Sequence, residues 1–511
     1  MTVTKKFFAL SLACALLAAN VYAQDDWGSD DSSAEEAAEP TFWDRFKING
    51  DASLAGRGYI GKYIENESVA DMDTPVYAIP KLKLGFDYEG NATKFSSTLR
   101  FDEQTLRYDQ EMILDQFSAD VFIDNFVFSA GKMKVVWGKG DKLHVLDNFN
   151  SNNYYDFLIP DYLDRRNAEY MFRAQYNSPL GFRIEGIYTP IMHGETYAQK
   201  GPWVPGKIAT LTSTVSEIQA AKILTAAGAT GSLNAASLAA LMNASSLTSD
   251  DLYPNTYRLQ YGQFGGYFNF TLGLFDFGVS YYNGRYKQVS SDLTGTIIYK
   301  AAQQSPMVAA LFPNALADAM PTLDYDKLQA FGIDMQTALG PFTIRAEAVY
   351  NMTHDFSGSD TWTHNNSLGY LFGFDVSLPI HNITLNVQGY GNYILNSGSI
   401  DDFKLFGMIP IEGTKQYDVD YDPTACYTNH KIVVQLQDTF YYEKITATIK
   451  AIYGIERYDL IVMPELSFKV RDGWKVTGSG MIIHNFKDDE KSEFYGWLDN
   501  SFVQLAVSYT F

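Results

Sequence analysis

Apolar and polar residues alternate at every second position through most of the chain after residue 45. Between Phe46 and Ile60 the even positions are apolar or glycine, whereas the odd positions include Lys47, Asp51 and Arg57. A period of two is typical of a β-strand with one apolar and one polar face. About 18 such segments occur, at residues 46–60, 77–88, 94–107, 114–124, 126–137, 168–177, 182–190, 257–271, 274–287, 327–339, 342–351, 367–379, 382–394, 431–442, 444–457, 460–471, 473–484 and 499–511. The pattern predicts an all-β protein.

The connections between these segments are of two kinds, which alternate along the chain. Every second connection is a short turn, such as 89–92, 339–341 or 471–473. Most of the others are long, above all 138–167, 191–256, 288–326 and 395–430. Short turns at one end and long loops at the other are typical of bacterial outer-membrane barrels. We therefore predict a transmembrane antiparallel β-barrel over residues 46–511, with about 18 strands (16 is the alternative), short periplasmic turns and long extracellular loops that contain small helices.

The N-terminus predicts export from the cytoplasm. Residues 1–23 combine Lys5 and Lys6 with an apolar run and a small-x-small cleavage site at Val21-Tyr22-Ala23, which are the features of a signal peptide. The next 17 residues, Gln24–Pro40, contain seven acidic residues and no basic ones. We expect residues 24–45 to form an acidic, disordered periplasmic tail.

Composition and charge exclude several classes of function. The chain has 39 Lys and Arg against 60 Asp and Glu, a formal net charge of −21, which argues against a nucleic-acid partner. Two cysteines cannot form a disulfide scaffold or a Cys-rich metal site. Asp418-x-Asp420-x-Asp422 has calcium-loop spacing, but Pro423 stands where an EF-hand needs Gly. The seven histidines are scattered, so we predict no enzyme, no metal site and no cofactor.

Two segments carry a resemblance to known proteins. Phe502–Phe511, with Val507, Tyr509 and a terminal Phe at alternating positions, resembles the C-terminal signature of Gram-negative outer-membrane proteins. Residues 131–150 and 159–166 resemble a family of porin-like proteins in which a strand ends in Trp-Gly and enters a Leu-Asp-x-x-Asn loop. The resemblance implies location in the outer membrane, contact with its lipid, and recognition of Phe511 by the barrel-assembly machinery.

Inward-facing positions on the predicted strands carry nearly balanced charge, 13 basic residues against 12 acidic ones. Six of the 13 fall on the first three strands, which makes one side of the lumen positive. The proposed basic strip comprises Lys47, Arg57, Lys81, Lys83, Lys94, Arg100, Arg173, Arg183 and Arg345. Either the strip guides solutes, or its charges keep the lumen hydrated and pair across strands.

Loop 138–167 is the third long-side loop, and in porin-class barrels this loop commonly folds inward to narrow the pore. The residues predicted to form a constriction are Lys139, Asp141, Lys142, His144, Asp147, Asn150, Asp161, Asp164, Arg165 and Arg166. Tyr154, Tyr155 and Tyr162 lie among them and are suited to stacking on a sugar or another planar solute. An acidic loop opposite a basic wall would set a transverse field. The alternative is an extracellular loop held by Asp–Arg pairs.

Other long loops contain helical patterns. Thr214-x-x-Glu217 is a capping box that predicts a helix ending near Gly228, and a second helix is expected at about 234–244. Ser305-Pro306 predicts the start of a third helix. These helices either cap the barrel or present apolar faces to a hydrophobic solute.

The combined expectation is a porin or substrate-preferring diffusion channel that passes small solutes passively through a polar lumen narrowed by loop 138–167. The alternatives are a channel for hydrophobic solutes and a closed structural or adhesive surface barrel. The oligomeric state, monomer or trimer, stays open.

Overall fold

The computed structural model describes residues 42–60, 76–198, 200–230, 235–244 and 252–511. The predicted signal peptide (residues 1–23) and residues 24–41 of the predicted tail lie outside the described residues. The last four residues of that tail, Phe42–Arg45, form a short helix, α1, directly before the first strand.

Eighteen antiparallel strands form one sheet that closes on itself. In chain order they are β1 (Phe46–Tyr59), β2 (Val76–Glu89), β3 (Thr93–Phe101), β4 (Leu114–Ile123), β5 (Phe126–Met133), β6 (Glu169–Asn177), β7 (Phe182–Thr189), β8 (Gln263–Leu272), β9 (Phe275–Arg285), β10 (Lys327–Leu339), β11 (Phe342–Met352), β12 (Ser367–Ser377), β13 (Thr384–Ile394), β14 (Lys431–Phe440), β15 (Ile445–Gly454), β16 (Asp459–Arg471), β17 (Trp474–Asn485) and β18 (Phe502–Thr510). Strand β1 pairs with both β2 and β18, so the sheet has no free edge. The prediction of an antiparallel barrel of about 18 strands is confirmed, and the alternative count of 16 is wrong.

Side chains point alternately into and out of the barrel. In β1, Leu54 is 59% exposed on the outer face, whereas Arg57 is only 3% exposed on the inner face. Trp474 and Tyr509 pack against each other on the outer face, with ring centroids 5.0 Å apart, as expected of an interfacial aromatic girdle. A closed barrel satisfies every strand's backbone groups internally while its apolar face meets lipid. The chain therefore has the architecture of a membrane-spanning outer-membrane barrel.

The two ends of the barrel differ in their connections. The turn end carries short turns such as residues 90–92 and 472–473. The loop end carries loops L3 (134–168), L4 (190–262), L5 (286–326), L6 (353–366), L7 (395–430) and L9 (486–501).

Several strands are shorter at the loop end than predicted: the one predicted at 257–271 begins at Gln263, and the one predicted at 444–457 ends at Gly454. The predicted strand 94–107 ends at Phe101, because Asp102 and Thr105 form a capping box that begins helix α2 (Glu103–Arg107). The predicted strand 126–137 ends at Met133, where L3 begins.

The loop helices match the sequence pattern only in part. Helices α3 (Gly206–Thr230) and α4 (Ala235–Ala244) lie in L4, and α5 (Thr294–Gln304) and α6 (Pro306–Leu311) lie in L5. The helix expected at 234–244 is confirmed, and Ser305 caps α6 as predicted. The start at Thr214 and the end at Gly228 are wrong. Nothing before Thr214 breaks the helix, and a single helical glycine costs only about 1 kcal/mol. None of the described helices is both long and apolar enough to cross a bilayer.

Candidate functional site: the lumen and the loop that crosses it

Loop L3 enters the barrel directly after β5, and Trp137 holds its first residues against the wall. The indole is 2% exposed, stacks on Tyr267 of β8 at 5.6 Å and packs edge-on against Phe149 of L3 itself. Its Nε1 donates a hydrogen bond of 2.9 Å to Glu185 of β7. Because Tyr267 and Glu185 point into the lumen, L3 runs inside the barrel and not above it.

A buried carboxylate on β11 then fixes the path of L3. Glu347 accepts hydrogen bonds from the backbone N–H groups of Gly140 (2.6 Å) and Val145 (2.8 Å), and His144 Nδ1 lies 2.9 Å from it. Its side chain is 0% exposed. Gly138 passes so closely, with φ of +109°, that a Cβ there would lie 2.2 Å from Glu347 Oε1. Only glycine fits at this position without displacing the loop or the carboxylate.

The loop next reaches β13 and β15. The side chain of Asp141 accepts a hydrogen bond of 3.0 Å from Asn386, and its backbone carbonyl accepts one of 2.6 Å from Gln388, both on β13. Farther along L3, Asp161 lies 3.2 Å from Lys450 of β15 and 3.9 Å from Lys142 of L3. Burial alone would raise the pKa of Asp161, but the nearby charges of Lys450 and Lys142 bring it below its ordinary value.

The opposite wall, formed by β1 and β2, holds the loop through ion pairs. Asp156 lies 2.6 Å from Arg57 and 3.6 Å from Lys81, and Asp164 lies 2.5 Å from Lys83. Burial would raise the pKa of Asp156, yet the hydrogen bond from Arg57 and the charge of Lys81 hold it below its usual value. With contacts on β7, β8, β11, β13, β15, β1 and β2, L3 crosses the lumen.

The side chains predicted to form a constriction divide into two groups. Asn150 is 1% exposed and ties L3 together through hydrogen bonds to Met133, Val135 and Asn167. Arg166 and Asp147, 2.9 Å apart, form a buried ion pair that Tyr162 joins. The side chains of Lys142, Asp161 and Asp164 are half or more exposed, and beside them lies Leu163, which was not among the predicted residues and is also exposed. This second group faces the water-filled part of the lumen.

The predicted basic strip is largely neutralised. Seven of its nine residues have a carboxylate within 4.0 Å: Arg57 and Lys81 share Asp156, Lys83 meets Asp164, Lys94 meets Glu89, Arg100 meets Asp102, Arg173 meets Glu185 and Arg345 meets Asp375. Lys47 stands opposite Asp87 in the strand register, and Arg183 lies over the ring of Tyr267. Two acidic residues of L3, Asp156 and Asp164, lie directly on this wall and do not face it across the pore. Asp141 and Asp161 lie instead against β13 and β15.

Loops L4 and L9 pack on L3 from the loop end. Trp203 of L4 stacks on Phe157 of L3 with ring centroids 4.8 Å apart and planes 5° from parallel. Trp497 of L9 contacts the same Phe157 ring and donates its indole N–H to Val204. These residues form a buried cluster with Tyr59 and Phe502 of the barrel wall. L4 and L9 therefore hold the part of L3 beside β1 and β18.

Other residues singled out by the sequence have structural roles. Asp422 accepts backbone hydrogen bonds from residues 424–427 of L7, and Cys426 is an exposed free thiol. Across the described residues, no group of three or more metal-binding side chains converges.

The sequence did not identify the residues that position L3. Glu347 was one of the 12 acidic residues at inward positions, with nothing to distinguish it, and Trp137 was placed at the end of the predicted strand 126–137. The one signal was the Gly138-Lys-Gly140 spacing, since two glycines around one residue suggest a close backbone approach.

Comparisons with known proteins return barrels of similar extent. No protein-family model matches the chain, and the search of curated proteins found no match. Among solved structures, OccAB4 of Acinetobacter baumannii covers 91% of this chain and 97% of its own at 9% identity, with a TM-score of 0.43. OccK11 (OpdR) of Pseudomonas aeruginosa covers 91% of this chain and 95% of its own at 8% identity, also with a TM-score of 0.43. A mutant of the Rh. blastica porin covers 91% of this chain and 100% of its own at 9% identity, with a TM-score of 0.35. TM-scores this low assign no function to this chain.

Proposed function

We propose that the protein is an outer-membrane diffusion channel that passes small polar solutes passively through a lumen narrowed by L3. The observation that carries this proposal is the path of L3, which crosses the closed barrel and is tied to its wall at Glu347, Lys450 and Arg57. A loop fixed in this way narrows the lumen without a separate plug domain. The loop end would face the exterior and the turn end the periplasm.

The side chains beside the open part of the lumen indicate which solutes fit. Lys142, Asp161, Asp164 and Lys450 present both signs of charge to water, and Leu163 adds one apolar surface that is 54% exposed. Because most basic wall residues already have carboxylate partners, we propose weak charge selection and a cut-off set by size. Small hydrophilic solutes are the expected cargo.

Single-channel recording in a planar bilayer tests this proposal. The purified protein should give a stable open pore with a small reversal potential in a salt gradient. Deleting residues 141–158 should raise the conductance. A matched deletion of 404–410, which removes a two-stranded hairpin of L7, should leave it unchanged. Silence from folded protein, or equal conductance in the wild type and the 141–158 deletion, would contradict a pore narrowed by L3.

A second candidate function is a channel for hydrophobic solutes. It is favoured by exposed apolar side chains on the loop helices, including Leu238 (59%) and Met242 (67%) of α4 and Met307 (67%) of α6. If these side chains capture a solute, replacing Met242 and Met307 by Ser should slow the uptake of an alkyl solute into proteoliposomes. Uptake of a small sugar through the same variant would stay unchanged. Equal uptake of the alkyl solute by variant and wild type would exclude this role.

The C-terminus supports a separate proposal about assembly. Phe511 and Gly50 exchange two backbone hydrogen bonds of 3.0 Å, which close the seam between β18 and β1 at the turn end. Its ring is 49% exposed on the outer face. We infer that the assembly machinery reads this residue, so removing Phe511 should sharply lower the amount of folded barrel in the outer membrane. Normal amounts of the truncated protein would exclude that role.

A further inference from the structure

Two lysines face each other inside the barrel near the turn end. Lys469 of β16 and Lys475 of β17 are directly opposite in the strand register and both point inward. Neither ammonium group forms an ion pair with a carboxylate of the described residues at 4.0 Å or less. Like charges directly opposite on one face of a sheet are destabilising. This position therefore favours an anionic partner.

The surrounding inward charges are satisfied in a different way. Lys94 lies 3.9 Å from Glu89, and Arg345 is paired with Asp375. Asp51 accepts a hydrogen bond from Thr510, and Asp87 accepts one from Asn49. Closer to the lysine pair, Glu465 lies on β16 and Asp472 in the turn between β16 and β17, and neither is within 4.0 Å of either ammonium group. Arg471 lies beside Asp472, and the adjacent turn contributes one charge of each sign, Glu443 and Lys444. Basic residues therefore outnumber acidic ones around the pair, which leaves a local excess of positive charge.

The chain enters the barrel close to this pair. Strand β1 begins at Phe46 at the turn end and is followed around the barrel by β18, β17 and β16. At about 4.8 Å per strand, three spacings separate β1 from β16 by roughly 14 Å. The 17 residues Gln24–Pro40, with seven acidic side chains and no basic ones, precede this point. Fully extended, they reach up to roughly 55 Å.

We propose that the acidic segment 24–40 docks on Lys469 and Lys475 at the turn-end opening of the barrel. Tethering gives such a segment an effective concentration on the order of millimolar near the pair, so an attraction between exposed charges suffices. The attraction is screened by salt. Docked there, the segment adds negative charge to one opening only, and the channel becomes asymmetric in its response to voltage.

Zero-length cross-linking tests the contact directly. The exported protein, purified from outer membranes, is treated with a carbodiimide that joins carboxylates to amines in contact. We expect cross-linked peptides between segment 24–40 and Lys469 or Lys475, formed at low salt and lost at high salt. The Lys83–Asp164 pair, 2.5 Å apart, is the internal positive control. If that control cross-link forms and none reaches Lys469 or Lys475 at low salt, the proposal is overturned.

Channel recordings test the consequence with matched variants. Replacing the seven acidic residues of segment 24–40 by their amides should abolish the asymmetry of the current–voltage curve, and K469Q/K475Q should do the same. Combining the two sets of substitutions in one protein should cause no further change in the current–voltage curve. The control K487Q/K491Q, at the loop end, should keep the asymmetry. Additive effects of the two sets would place the segment elsewhere. The cross-linking result does not depend on conductance, so failure of this inference and failure of the channel proposal are distinguishable.

Discussion

The two attachments of L3 hold the same loop by different means. At β11, Glu347 is fully buried and receives two backbone N–H groups, from Gly140 and Val145. At β1 and β2, acidic side chains of L3 meet basic side chains of the wall, and Asp164 is half exposed. The first attachment uses the loop's backbone and so fixes where the chain runs. The second uses its side chains and so determines which charges remain free in the lumen.

This difference separates the shape of the passage from its charge. A carboxylate that satisfies buried backbone donors cannot be removed without leaving those donors unpaired, at a cost of about 1–3 kcal/mol each. An exposed ion pair contributes only about 0.2–1 kcal/mol and weakens with salt. Substitutions at β11 should therefore change the width of the pore. Substitutions on the exposed part of the β1–β2 wall should change mainly its selectivity.

The largest effect is expected for Glu347→Ala. Losing the acceptor for two part-buried N–H groups and His144 should destabilise the local fold of L3 by about 3 kcal/mol. Amide hydrogen exchange at Gly140 and Val145 should accelerate by on the order of a hundredfold. Single-channel conductance should rise and become noisy.

A backbone variant provides the matched control for that result. Gly138→Ala keeps the carboxylate but forces a Cβ into it, at φ of +109°, and should reproduce the same loss of protection. Wild-type exchange and conductance in both variants would show that Glu347 does not position L3.

A smaller effect is expected for Arg57→Gln. Arg57 is 3% exposed, so its loss leaves Asp156 without its closest partner, but Lys81 stays 3.6 Å away. We expect a local loss of about 2 kcal/mol, below the 3–5 kcal/mol typical of a fully broken buried pair. Exchange around Asp156 should accelerate while Gly140 and Val145 stay protected. An equal loss of protection around Asp156 and at Gly140 and Val145 would mean that the two attachments of L3 unfold as one cooperative unit.

Lowering the pH should accelerate exchange around Asp156 in the wild-type protein, as Arg57→Gln does. The pKa of Asp156 is lowered in the folded protein, so its stabilisation is present above the ordinary carboxyl pKa. That stabilisation is lost as the pH falls through the folded value. After correction for the intrinsic rate, exchange around Asp156 should therefore be unchanged between pH 8 and 5 and accelerate only in more acidic solution. Acceleration already at pH 6 would contradict this assignment.

The wall could be predicted from the sequence, and the attachments could not. Alternation has a period of two and is local, so residues such as Leu54 and Arg57 reveal their faces without knowledge of the fold. The contact between Gly140 and Glu347 joins residues 207 positions apart and leaves no periodic trace. The early end of β3 was encoded locally, by Asp102 and Thr105, but a capping pair beside an alternating run is easily taken for more strand.

A further prediction concerns Lys83→Gln, which tests the exposed end of the same wall. The side chains of Lys83 and Asp164 are 34% and 51% exposed, so the pair should contribute only about 0.5 kcal/mol. L3 should keep its protection, while freeing Asp164 shifts the reversal potential toward cation preference. The shift should shrink as salt rises from 0.1 M to 1 M, as the Debye length falls from about 10 to 3 Å. Lys487→Gln, at the loop end, is the control. A shift that does not depend on salt would argue against a local charge effect.

A pH effect that leaves L3 untouched is expected at the loop end, where His364 of L6 ties L5 to L7. Its Nδ1 lies 2.6 Å from Asp326, its ring stacks on Tyr286, and Asp420 and Asp418 face it from L7. Burial would lower the pKa of His364, but the hydrogen bond to Asp326 and the charge of Asp420 raise it above its ordinary value. Burial and the neighbouring Asp420 also raise the pKa of Asp418, to about 6.

Both groups give the same sign of pH dependence. The stabilisation from His364 is fully present below its unfolded pKa of about 6.5 and is lost as the pH rises through the folded value. Asp418 adds a part of the same sign, because the penalty for ionising it grows as the pH rises from the ordinary carboxyl value and becomes complete only above its folded pKa of about 6. Asp326 has a lowered pKa and stays charged throughout this range. Exchange in residues 363–366 should therefore be slower at pH 5.5 than at pH 8 after correction for the intrinsic rate.

The change in stability should stay near 1 kcal/mol. The neutral imidazole still donates its Nδ1–H to Asp326, and a hydrogen bond from a neutral donor is only about 1 kcal/mol weaker than one from a charged donor. His364→Asn separates the two titrating groups, since it removes the imidazole and leaves Asp418 in place. If the histidine dominates, the variant loses most of the pH dependence. If the variant keeps it in full, the acidic pair of L7 is the group that senses pH, and His364 serves only as a hydrogen-bond donor.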